Sequence, residues 1–111
     1  MNFNEATQKA LQFRRDRDWE QFHNPKDLAA SISIEAAELL EVFQWSGTNL
    51  EPEGKVDRVE EELADVMIYC IYLADRLGID IPQAISDKID SNAAKYPVDK
   101  SRGLARKYTE L

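Results

Sequence analysis

Apolar residues recur at helical spacing along most of the chain, and the interruptions fall at a few short breaks bearing Gly or Pro. Asn2, with Glu5 three residues on, forms a capping box and predicts a first helix running to about Phe22. Asn24-Pro25 supplies an N-cap followed by proline at the first helical position, and Asp27 suits the positive end of that second helix. The second helix is predicted to reach about Trp45 and to stop at Ser46-Gly47. Residues 46–55, with Gly47, Pro52 and Gly54, read as a loop. A third helix is predicted over Val56 to Leu77, ended by Gly78. Asp80 then caps a fourth, which ends near Tyr96-Pro97. The tail, 98–111, is weakly patterned, and no strand alternation or internal repeat interrupts the helical reading. The expectation is a single all-α domain over 1–111, four helices in a bundle plus a C-terminal tail.

Composition narrows the class. With 111 residues and 43% hydrophobic content the chain can build only a modest core. A domain of this size buries roughly 60–70% of its unfolded surface, so a homo-oligomer is expected. The formal charge of −7 argues against a general nucleic-acid or anionic-membrane binder, which needs clustered Lys and Arg. The longest uncharged apolar run, Val66 to Ala74, is far short of the roughly 20 residues that span a bilayer. The start of the chain has no apolar stretch of the signal-peptide kind. Cys70 is the only cysteine, so no intrachain disulfide forms, and it reads as a buried reduced thiol. A cytoplasmic protein with neither nucleic acid nor membrane as partner is expected.

The acidic residues carry the chemistry. With 21 of them in the chain, about four acidic pairs at i, i+3 arise by chance, so Glu35-x-x-Glu38 and Glu62-x-x-Asp65 are weak as bare patterns. Their placement says more. On the second helix Leu28, Ile32, Ala36, Leu39 and Phe43 form one apolar stripe, and Glu35 falls at its edge, between Val42 and Leu28, with Glu38 one step further round. On the third helix Glu62 projects between Tyr69 and Leu73, and Asp65 between Tyr72 and Arg76. Each pair therefore points to one side of its helix. A solvated acidic face is the plain alternative, and Glu60-Glu61 fit it. Only Arg76 is an obvious neighbouring base, however, and charge between apolar neighbours is normally paired or bound to a cation. All-oxygen ligation suits Mg²⁺, with Mn²⁺ the alternative, over Zn²⁺.

Rival chemistries lack parts. Glu20-x-x-His23 matches half of a di-iron motif, but His23 is the only histidine, and a Ser or Cys triad cannot be assembled from the remaining residues. No Gly-rich phosphate loop is present. Phe3, Phe13 and Phe43 read as core. Trp19 and Trp45 bracket the acidic pair of the second helix and, beside a metal site, could stack a planar base. Met1 and Met67 carry no signal.

Taken together, Glu35-x-x-Glu38 and Glu62-x-x-Asp65 resemble the metal motif of the all-α, MazG-like nucleoside triphosphate pyrophosphohydrolases. The resemblance is to the dCTP pyrophosphatase branch and extends to Arg17-Asp18-Trp19-Glu20-Gln21-Phe22-His23, Phe43-Gln44-Trp45, Glu61-Glu62-Leu63, Asp65-Val66, Tyr96-Pro97 and Arg106-Lys107-Tyr108-Thr109-Glu110-Leu111. It implies that Glu35, Glu38, Glu62 and Asp65 hold Mg²⁺. It also implies that Trp19, Glu20, Gln21, Phe22, His23, Trp45 and Tyr69 contact the nucleotide, with Asn92 and Lys95 near the phosphates. The implied reaction cleaves the α–β phosphate bond of a nucleoside triphosphate, dCTP favoured, in a homodimer or homotetramer that cleans the nucleotide pool. Glu38 is assigned to orienting the attacking water. Relatives carry a substrate-contacting His where Ala10 stands, which leaves the base preference open. A non-catalytic helical oligomerisation module, or the same fold acting on dUTP or another non-standard nucleotide, are the alternatives.

Overall fold

Three side-chain caps set the helix starts. The Asn2 Oδ1 accepts the Glu5 amide at 2.8 Å, Asn24 accepts that of Asp27 at 2.9 Å, and Asp80 accepts that of Gln83 at 3.0 Å. The computed structural model describes all 111 residues and contains helices and turns but no strand. Its helices are α1 (Phe3–Asp16), α2 (Pro25–Glu41), α3 (Val56–Leu77), α4 (Ile81–Lys95) and the short α5 (Val98–Ser101). Single 3₁₀ turns lie at Glu20–Phe22 and Tyr108–Glu110. The four long helices are those expected. The division of the chain is into two compact units, Met1–Gly78 and Ile79–Leu111.

In the first unit α2 and α3 make the main helix–helix contact, and α1 touches α3 less extensively. The Lys55 ammonium donates to the Val42 carbonyl at 3.5 Å, so the end of α2 meets the start of α3 and the two run antiparallel. The buried apolar side chains, Leu11, Leu28, Val42, Ile71, Tyr72 and Ala74, all belong to this unit. Gly78 ends α3 at φ 67°, a left-handed value that glycine adopts without a Cβ clash.

Two helices stop short of expectation. The first ends at Asp16, not Phe22. The amides of Arg17 and Trp19 both turn back to the Arg14 carbonyl, at 3.3 and 3.2 Å, and Asp18 takes φ 52°. The chain then makes the 3₁₀ turn, and Trp19 meets Phe13 edge-on at 5.6 Å. The second helix ends at Glu41, where successive i→i−3 bonds from Val42, Phe43 and Gln44 tighten the backbone and Trp45 takes φ 68°. Cys70, expected to be buried, is half-buried.

The second unit is α4 with the tail folded on its end. The Ser101 hydroxyl donates to the Pro97 and Tyr96 carbonyls at 2.6 and 3.1 Å, and Tyr108 meets Tyr96 edge-on at 6.1 Å. No helix is long and apolar enough to cross a membrane.

Candidate functional site

The antiparallel packing of α2 on α3 brings Glu35, Glu38, Glu62 and Asp65 together, with one carboxylate oxygen of each within 4.8 Å of the others. The first three are half-buried and Asp65 is exposed. Two oxygens of the group, Glu35 Oε2 and Glu62 Oε2, are enclosed with no hydrogen-bond partner. Desolvation and the closeness of the other acids, Glu38 foremost, raise the Glu35 carboxyl to about 7. Glu62 is raised by the same combination, led by desolvation, and Arg58 only partly opposes it. Arg58 is thus the base that acts on Glu62. Four acids converging with two unpartnered oxygens fit a hard divalent cation, which favours several oxygen ligands and offsets their charge.

Beside this cluster a groove of about 570 Å³ runs between α1 and α3. Its walls include Phe3, Phe13, Trp19, Met67, Tyr69 and Tyr72, and Asp65 lies on its lining as well as in the carboxylate cluster. Lys9 and Ala10 line it too, Ala10 standing where the resemblance expects a histidine. Tyr72 presents its ring because its hydroxyl donates to the Ala10 carbonyl at 2.9 Å. Phe3 and Phe13, expected in the core, are exposed and form groove wall instead. Met1 and Met67, which carried no signal in the sequence, also line it. Helical period alone shows that a face is apolar, not whether a second element covers it.

The predicted contact residues separate into groups. Trp19 and Tyr69 line the groove; Glu20, Gln21, Phe22 and His23 do not. The Gln21 amide donates to the Asp18 carbonyl and carboxylate, both at 3.0 Å, within its own turn. His23 stacks on Tyr72 at 5.2 Å with its Nδ1 enclosed and unpartnered. Burial and the Arg14 charge hold its pKa below the ordinary imidazole value. Trp45 is 91% exposed and away from the groove lining. Asn92 and Lys95 belong to the second unit, where the Lys95 ammonium lies 5.0 Å from the Tyr108 ring centre.

The chain that builds this arrangement, two acidic pairs on antiparallel helices next to an aromatic groove, is similar to known proteins. A profile of the MazG-like family matches residues 30–111, which includes all four carboxylates. The chain belongs to the MazG-like family. It is 45% identical over 105 residues to dCTP pyrophosphatase 1 of Mus musculus and 44% identical over 106 residues to that of Homo sapiens. Each match covers 90% of this chain and 62% of the relative, so the chain spans less than two thirds of these proteins. Among solved structures, a pyrophosphatase from Archaeoglobus fulgidus DSM 4304 is similar with a TM-score of 0.76 and 44% identity. That match covers 85% of this chain and 91% of the other.

Proposed function

We propose that this MazG-like chain is a Mg²⁺-dependent nucleoside triphosphate pyrophosphohydrolase of the cytoplasm, favouring dCTP or a closely related deoxynucleotide. The observation that carries the reading is the double membership of Asp65, which belongs to the carboxylate cluster and also lines the aromatic groove. A base held between aromatic walls therefore has its phosphates directed to the cation-holding end. The similarity to proteins named dCTP pyrophosphatase 1 supports the choice of nucleotide.

Under this reading Glu35, Glu38, Glu62 and Asp65 hold the cation, and Trp19 and Tyr69 bind the base. When bound, Mg²⁺ screens the carboxylates from the triphosphate and offsets charge building on the phosphate oxygens. Glu38 orients the water whose oxygen attacks the α-phosphorus. The bond to the α–β bridging oxygen breaks, and pyrophosphate leaves with a nucleoside monophosphate remaining. Asn92 and Lys95 carry the phosphate-binding roles that the resemblance implies. Exposed apolar side chains on the first unit, such as Ile34, Leu40 and Leu63, support assembly into a homodimer or homotetramer.

The test is pyrophosphate release across deoxy- and ribonucleoside triphosphates, with Mg²⁺, with Mn²⁺ and with EDTA. Mg²⁺-dependent release, fastest with dCTP, is expected. Release insensitive to EDTA, or none from any nucleotide, refutes the reading.

A further inference from the structure

Arg14 is the one charged side chain that the fold buries, at 3% exposure, and it sits at the end of α1 where the Trp19-bearing turn begins. Its Nη2 donates to the Asp75 carboxylate on α3, across 61 positions of sequence. Its guanidinium carbon lies 4.9 Å from the centre of the Tyr72 ring, and its Nε is 4.0 Å from Glu20. Its carbonyl accepts the Trp19 amide at 3.2 Å. One residue thus touches α3, the groove residue Tyr72 and the backbone of the groove residue Trp19. Burying a guanidinium is costly unless it is paired. Here the pair links two helices that otherwise meet sparsely.

We propose that Arg14, braced by Asp75, is a positioning residue: it fixes the separation of α1 from α3 and the placement of Trp19, and so sets the width of the groove. It is a member of neither the carboxylate cluster nor the groove lining and acts on the groove only through Tyr72 and Trp19, so its contribution is to base binding and not to the chemical step. The catalytic readout rests on the function proposed above. Trp45 lies outside this network, which makes Trp19 observable by itself in a Trp45→Phe background.

The experiment compares wild type, Arg14→Met, Arg14→Lys, Asp75→Asn and the Arg14→Met/Asp75→Asn double variant, using Mg²⁺-dCTP and pyrophosphate release. Arg14→Met should raise KM about tenfold, the scale of one displaced stacking contact, with kcat held within about twofold. Asp75→Asn should raise KM less, Arg14→Lys should recover part of the loss, and the double variant should equal Arg14→Met alone, because the two act as one pair. In nucleotide-free protein carrying Trp45→Phe, acrylamide should quench Trp19 more strongly once Arg14→Met is added. An unchanged KM, a fall in kcat to match the rise in KM, or additive effects in the double variant overturns the proposal. If wild type releases no pyrophosphate, the functional reading falls and the quenching comparison decides alone: unchanged quenching overturns the brace and increased quenching supports it.

Discussion

Helix α3 carries two groupings of charge with opposite internal balance. At Glu62 and Asp65 it meets two further acids from α2, leaving two enclosed oxygens without partners. Three turns on, at Asp75, it meets the buried Arg14 of α1, and the charges cancel within the chain. Charge balanced by the protein itself is architecture. Charge left unbalanced in a half-buried position calls for something the chain does not supply, and that contrast supports the proposed cation end of the groove more sharply than acidic composition does.

The contrast breaks most visibly at the unbalanced end. Glu38→Ala and Asp65→Ala should each lower kcat by about a hundredfold or more while circular dichroism shows the helix content unchanged, because charge placement is lost and packing is not. Turnover within a few-fold of wild type in either variant would remove that residue from the cation site.

Metal addition should give the next largest effect. At a hundredfold excess over its dissociation constant, Mg²⁺ should stabilise wild type by about 2.7 kcal/mol in thermal unfolding, and Glu35→Gln by less. In EDTA the sign of the pH dependence follows from the raised carboxyls. A Glu35 carboxyl raised from its ordinary 4.5 to about 7 means that the folded state holds a proton the unfolded state has released between those values. Stability is therefore greatest below the unfolded value and falls as pH rises towards 7. Mg²⁺ should flatten that slope by favouring the ionised form. Equal stabilisation of both proteins would place the cation elsewhere.

Trp19→Ala is expected to raise KM by about tenfold, with a smaller change in kcat, since stacking is shared by ground and transition states. An unchanged KM would leave this exposed side chain with no part in nucleotide binding. The smallest expected effect lies at the balanced end. Asp75→Asn should leave the Mg²⁺-induced rise in Tm the same as in wild type, and a diminished rise would mean that the two charge groupings are coupled.

How much of this was legible in the sequence depended on range. The caps at Asn2, Asn24 and Asp80 were readable because a cap is settled within four residues, and α3 has its expected bounds of Val56 and Leu77. The carboxylates were readable because i, i+3 spacing and the apolar stripe placed each pair on its helix before the helices were docked. The early end of α1 was not. It depends on Asp18 adopting a left-handed backbone while Trp19 packs on Phe13, a contact that propensity does not encode. Nothing in the sequence sets Arg14 apart from Arg15 and Arg17, and its burial depends on a partner far along the chain. The groove was hidden for a like reason, since Phe3, Phe13 and Met67 look the same whether a neighbouring helix covers them or leaves them open.

Trp45 brings a conflict between persistence and use. Its backbone sits at φ 68°, where a Cβ is crowded, and its side chain gains almost nothing from the fold that carries it. Glycine there would relieve about 1–2 kcal/mol of crowding against roughly 0.5–1 kcal/mol of added backbone entropy loss. A laboratory lineage selected for heat resistance alone should thus drift from tryptophan to glycine or asparagine at position 45. A lineage selected instead for the pyrophosphate release proposed above should keep the indole if the nucleotide contact implied by the resemblance is made, and lose it if that contact is absent.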